Sequence, residues 1–325
     1  MIKTVILLIS MLLLSTLAIA EDVVLVAVKV KIDAYSAKDM RYLGVFANLN
    51  KILKPTCMVK SKNGKLIVAG SPASFNEANI IVSINPDGSF DKVIFKNDTN
   101  NSPISTPASI VELDDGSFVI YDIGKKKLFK ISQSGEFLGE FLKPDAERPD
   151  SRRITSVFKY GTDLVVMSSD PDYKLVEYDQ EGNLVTNLTT GNEYIQTPMH
   201  VSEISNGYIM VALAQVEVEK EDGERIKLNK TTLIQLDKDL LFIKKLIDDN
   251  EIISESLIRP TLAIKNKITG EFIIIDEGRN RGTTRSYDDN LELFSSDGKY
   301  QKSLGTYEDT LLRSILWFEG STKKW

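Results

Sequence analysis

Short apolar runs rich in Val, Ile, Leu and Phe alternate with turns carrying Asp, Asn, Ser or Gly along most of this chain. That spacing predicts strands of a few residues joined by tight turns, because Gly and Asn tolerate positive φ while Asp and Ser bond their own backbone. The clearest unit spans residues 107–141: a strand, a turn at Asp114-Asp115-Gly116, a strand ending at Asp122, a loop, then two strands around Gly135. The pattern returns at 63–90, 154–185, 206–240 and 270–300. The turn of the second hairpin falls at Gly88, Gly135, Gly182, Leu240 and Gly298, so successive units lie 47, 47, 58 and 58 residues apart. A four-stranded unit at roughly a 45-residue period is the signature of a β-propeller blade. The two longer intervals carry inserted loops.

The two ends complete the pattern. Residues 24–32 read as one alternating strand, and residues 41–46 resemble the last strand of a unit, as in 136–141. Residues 314–320 resemble the first strand of a unit, as in 109–116. The N-terminus therefore supplies the outer part of a blade and the C-terminus its inner part, and joining them removes two open sheet edges. The expected fold is all-β: a six-bladed β-propeller of four-stranded antiparallel blades, closed by N- and C-terminal strands in one shared blade. Five or seven blades stay open as alternatives, because the N-terminal alignment needs an insertion. The best helix candidate is 307–316, a short stretch leading into the last strand. No linker or low-complexity tract divides the chain, so residues 21–325 are read as a single domain.

Two units resemble the NHL repeat, in which a Pro precedes an apolar inner strand, a Gly-bearing turn follows and the second strand ends in Asp. Residues 107–122 fit it closely, and residues 270–281 are similar to the family's strand-Asp-x-Gly-x-Asn-Arg stretch. The wider resemblance, to NHL and TolB-like six-bladed propellers, covers about residues 55–304, although the third and fourth units lack the strand-end Asp. The resemblance implies that the loops between second and third strands, and those between blades, crowd one face around a central channel. It implies that Asp122, Asp170, Asp276 and Glu277 lie at that face with the inserted loops. Such propellers include protein-binding, ligand-binding and enzymatic members, so the fold does not settle the function.

Composition narrows the classes. Lys3, an apolar run over residues 5–17, Ala18 and Ala20, then Glu21-Asp22 read as an export signal over residues 1–20 rather than a membrane anchor. The protein is thus expected to be exported, to a periplasm or outside the cell, and no second apolar run is long enough to span a membrane. The formal charge of -6, or -7 without residues 1–20, argues against nucleic acid as a partner. The single cysteine, Cys57, sits in an apolar-flanked run and reads as a buried core thiol with no internal disulfide to form. The single histidine, His200, excludes any site needing two His from one chain and reads as a structural residue at the start of a strand. A hydrolase triad could use only that residue. No P-loop, GxSxG or HExxH pattern occurs. Sequons at Asn97, Asn100, Asn187 and Asn229 matter only in a eukaryotic secretory pathway.

Recognition is expected on the long loops, since loops on a rigid scaffold tend to carry it. One, residues 215–227, reads as an extended hairpin around Asp222-Gly223. The other, residues 279–290, brings Arg279, Arg281, Arg285 and Tyr287. Three arginines suit a carboxylate or phosphate, and Tyr287 offers an aromatic surface to a sugar or peptide; the competing reading pairs the arginines with Asp288 and Asp289. Together with Asp122, Asp276 and Glu277 these form the expected ligand-binding set. A ring of strand-end acids also suits calcium, but such acids equally cap turns, so neither metal nor cofactor is assigned. The expectation is an exported, non-enzymatic, monomeric binding propeller for a protein, peptide or glycan. The alternative is a propeller enzyme, a lyase or a calcium-dependent lactonase or esterase, with an acidic channel site.

Overall fold

A strand that is apolar at every position, rather than at alternate ones, needs cover on both faces. The run at the N-terminus is of this kind. In the computed structural model, β1 (Glu21–Val28) sends Val23, Leu25 and Ala27 into one apolar cluster and Val24, Val26 and Val28 into another. The structure describes residues 20–50, 52–72, 80–97, 103–143, 153–170, 174–188, 195–219, 225–247, 260–277, 289–307 and 312–325.

Next come β2 (Lys31–Ser36) and β3 (Tyr42–Asn48). The first complete blade is β4 (Leu53–Lys60), β5 (Leu66–Pro72), β6 (Ile80–Ile84) and β7 (Phe90–Lys96). The second is β8 (Pro107–Glu112), β9 (Phe118–Asp122), β10 (Lys127–Ile131) and β11 (Phe137–Glu140). The third is β12 (Ile154–Tyr160), β13 (Asp163–Ser168), β14 (Leu175–Tyr178) and β15 (Leu184–Leu188). The fourth is β16 (Ile195–Ile204), β17 (Gly207–Glu219), β18 (Arg225–Leu236) and β19 (Phe242–Lys245). The fifth is β20 (Pro260–Lys265), β21 (Phe272–Glu277), β22 (Asp289–Phe294) and β23 (Tyr300–Tyr307). The last strand, β24 (Leu312–Ser321), pairs antiparallel with β1, giving a sixth sheet in the order β24-β1-β2-β3. The fold is a six-bladed β-propeller with four antiparallel strands in every blade.

Each innermost strand touches the innermost strands of both neighbouring blades, and β24 against β4 completes the ring. Six apolar clusters fill the six interfaces between blades, one at each. Cys57 is buried in the cluster between the first two blades.

The second-hairpin turns explain the period seen in the sequence. Gly88, Gly135, Gly182 and Gly298 all have positive φ. Each presses against a backbone carbonyl at or just beyond the outermost strand of the preceding blade: Phe46, Ile94, Phe141 and Leu246 respectively. A Cβ at any of the four would overlap that oxygen. The fourth blade has Leu240 at the same turn with φ 62, and its side chain is fully buried in the cluster between the third and fourth blades. The C-terminus adds a clasp at the closing seam. Thr322 N–H donates to Pro86 O at 3.0 Å, and the Lys323 ammonium donates to Phe46 O at 2.9 Å beneath the Trp325 ring.

Two expectations are corrected. Residues 24–32 are not one strand: the chain reverses at Lys29-Val30, with Lys29 at φ 47, because the shared blade takes three strands from the N-terminus. Nor are the described residues of 307–316 helical. Tyr307 ends β23 and Leu312 opens β24, where pairing with β1 overrides local helix propensity. Residues 308–311 lie outside the described residues.

Gly135→Ala is expected to cost more than about 2 kcal/mol, combining a strained φ with backbone overlap, whereas Gly161→Ala, whose φ is 59 with nothing near, costs about 1 kcal/mol. Urea midpoints of the two variants check this, and equal midpoints contradict the glycine contact.

Candidate functional site

Innermost strands in a propeller pair with only one neighbour, so their other edge faces the axis with backbone groups to satisfy. Hydroxyls meet part of that need. Thr56 Oγ1 donates to Pro107 O, Thr155 Oγ1 to Pro198 O and Ser202 Oγ to Ala263 O, each at 2.7 Å across a seam between blades. Val157 N–H donates to Ser109 Oγ at 3.3 Å across another. These contacts hold open a central channel of about 620 Å³, lined by residues of all six innermost strands.

The six strands also share an irregularity. Near its start, each slips register against the second strand of its blade. The residues left over are Thr56, Ala108, Thr155, Thr261 and Arg313 in five blades, and Gln196 and Met199 in the fourth. A bulge re-aims its side chain, and the six residues at this level in the other five blades are uncharged, which leaves one cation, Arg313. Its side chain is exposed, and it lines both the channel and a second cavity of about 490 Å³ on the face where the innermost strands begin. That entry-face cavity is also lined by Lys29, Lys54, Thr56, Ser71 and Thr106.

His200 stands in the channel wall. Its Nδ1 accepts a long hydrogen bond from Ala263 N–H at 3.5 Å on the next blade. The ring is partly exposed where it lines the channel, and its desolvation by the surrounding protein pulls its pKa down to about 4, so the imidazole is neutral at neutral pH. Among the described residues no hydroxyl is hydrogen-bonded to this ring, and that of Ser202 on the same strand donates to Ala263 O. Burial pushes the Cys57 thiol up to about 12, leaving it unreactive. At the opposite mouth, several charges are paired. Glu319 lies between Lys267 at 2.8 Å and Lys60 at 3.7 Å, and Asp114 accepts from Lys62 and Lys159 at 2.5 Å, which holds its carboxyl well below the usual range.

The sequence-derived residues fall differently from one another. Asp122 is fully buried, and its carboxylate accepts from Ser105 N–H, Ser105 Oγ at 2.8 Å, Thr106 N–H at 2.9 Å and Lys125 N–H at 2.7 Å. It therefore braces the loop that enters β8 and shapes the entry-face cavity through Thr106. Asp276 is buried at the end of β21, facing the fourth blade beside Glu292. Glu277 is the last residue of that strand. Arg279, Arg281, Arg285 and Tyr287 lie outside the described residues. The chain carrying them leaves the sheet at Glu277 and rejoins it at Asp289, on the entry face. The expected hairpin in the fourth blade is present. β17 pairs with β16 only as far as Ala214, yet continues against β18 to the pair Glu219–Arg225. Five residue pairs, about 16 Å of ribbon, thus run past the blade on the entry face. In that ribbon Val216 pairs with Leu228 and Val218 with Ile226, alternating with Glu217–Lys227 and Glu219–Arg225. Among the described residues no three of His, Cys, Asp and Glu gather at metal-binding distance.

Arg313 escaped the sequence reading, although aligning Ser314 with Ser109 already set it opposite Ala108. What a sequence does not display is that this slot is a bulge opening on the channel.

No family model matches the chain, and no curated protein matches its sequence. Solved structures resemble its fold. A protein of unknown function from Bacteroides caccae superposes with a TM-score of 0.54 at 14% identity, covering 92% of this chain and 99% of that one. A periplasmic gluconolactonase of Pseudomonas aeruginosa gives 0.53 at 11% identity, covering 91% and 99%. A chain of a nidogen/laminin complex gives 0.53 at 11%, covering 91% and 98%. Likeness at such identity shows the propeller fold alone.

Two buried groups give opposite pH signatures. His200 titrates far lower folded than unfolded, so its contribution falls away as pH drops from about 6.5 to about 4, by roughly 2–3 kcal/mol. Glu292 is pushed up to about 7, mainly by burial and then by Asp276, so its burdened carboxylate weakens the fold as pH rises from about 4.5 to 7. Urea midpoints across this range should show His200→Gln flattening the first trend and Glu292→Gln the second. Variants whose profiles parallel the wild type refute the assignment.

Proposed function

We propose that this chain is an exported, non-enzymatic binding propeller that recognises a protein, peptide or glycan on its entry face. One observation carries the reading: the entry face holds the cavity and the overhanging β17–β18 ribbon. The ends of the connection that carries Arg279, Arg281, Arg285 and Tyr287 in sequence, Glu277 and Asp289, pair on that face as well. Loops on a rigid scaffold suit recognition. The channel supports the same reading, because its lone imidazole is held neutral with no hydroxyl or thiol paired to it among the described residues. Export rests on residues 1–20, and the likeness to a periplasmic propeller is in keeping with it. Among the described residues no helix is long and apolar enough to cross a membrane.

The test uses wild type and two variants on glycan and peptide arrays. One carries Arg279, Arg281 and Arg285 all changed to Ala, and the other has residues 216–228 replaced by a two-residue turn. Selective ligands of the wild type should be lost in at least one variant whose urea midpoint is unchanged. Identical array profiles for all three proteins would remove the entry face from the function.

A further inference from the structure

Resting on the entry-face reading, we propose that the group recognised there is an anion, a carboxylate or phosphate, gripped by the Arg313 guanidinium at the junction of cavity and channel. Three observations converge. First, the described lining of the entry-face cavity holds the cations Lys29 and Arg313 beside Lys54, which has a partner of its own, and the hydroxyls of Ser71 and Thr106, with no Asp or Glu. An anion placed there meets donors on several sides and no carboxylate in the described lining, the Asp122 carboxylate being set behind Thr106.

Second, Arg313 is available. No ion pair ties it to a described carboxylate. In this it differs from Lys60, Lys62, Lys159 and Lys267 toward the opposite mouth, each of which reaches an acid, and from Lys265, which lies over the Phe272 ring. Its guanidinium presents a planar fork that matches two oxygens of a carboxylate or phosphate at once, which an ammonium does not. Because Arg313 and Ala108 line both cavities, an anionic head held at the fork leaves the rest of the ligand free to extend into the channel past neutral His200.

Third, Lys29 reaches the same rim from an unfavourable backbone. It is exposed in the two-residue connection between β1 and β2 at φ 47, a conformation that favours Gly or Asn. The second cation is therefore placed by the same blade that carries Arg313, next to the closing strand.

The experiment titrates the full chain with citrate and, separately, inorganic phosphate by calorimetry at low ionic strength, where exposed charges are least screened. Wild type should bind at least one of them, and the better of the two names the ligand's acidic group. Arg313→Gln should weaken that binding at least ten-fold, with Arg313→Lys only partly restoring it for want of the fork. Lys29→Gly should weaken it two- to five-fold while raising the urea midpoint. Lys302→Gln, on the outer edge of the fifth blade, should bind as wild type does. Arg313→Gln binding like wild type, or wild type binding neither anion, overturns the proposal. If array ligands still depend on the ribbon in that case, the entry-face reading stands without the anion; if they do not, both fall.

Discussion

Everything in this molecule depends on the pairing of β24 with β1. A blade with two apolar faces is stable only between two others, and a row of such sheets ends in two uncovered faces unless it returns on itself. The contact between Val23–Val28 and the strand 312–321 makes the first and last residues of the propeller neighbours in one sheet. It lets the same short β1 seal two interfaces, giving alternate side chains to the blades on either side. The tail residues then tie the end of β24 to Phe46 of the same sheet and to Pro86 of the first blade.

The closed ring also creates the site. Six strands that converge on an axis cannot pair with one another, so their free edges must be satisfied by hydroxyls or left to whatever occupies the channel. Thr56, Thr155 and Ser202 take the first course. The register slip near each strand start leaves one residue without a partner in five blades and two in the fourth, and the identity of such residues is the freest chemical choice the fold offers. Five blades place no charge there and the closing blade places Arg313. Placing it on the strand that seals the ring couples the candidate site to closure: the guanidinium reaches its position only in a finished propeller.

Much of the architecture was legible because it is written locally. Gly88, Gly135, Gly182 and Gly298 mark the period since each stands against a carbonyl of the blade before, where a side chain has no room. The likeness of residues 314–320 to 109–116 foretold the shared blade, because both are innermost strands under the same burial. The reversal at Lys29-Val30 was hidden, since neither residue favours a turn and the apolar alternation continues through it. Residues 307–316 look helical in isolation and yield to a partner nearly three hundred residues away. The site was less legible than the fold. Asp122 announced itself through a repeat motif, yet its carboxylate is engaged by Ser105, Thr106 and Lys125. Arg313 matched no motif, because its importance comes from contrast with the uncharged residues that share its level in the five other blades.

The place of β24 after all the other strands of the ring has a consequence for how the protein is made. Translation delivers the outer three strands of the sixth blade first and withholds their inner partner until the five other blades have been made. Until Ser321 has left the ribosome, β1 has an unpaired edge and the neighbouring blades have uncovered flanks. A nascent chain is thus held short of the closed ring while those blades are synthesised, and a product that stops before β24 exposes adhesive strand edges instead of forming a slightly smaller propeller.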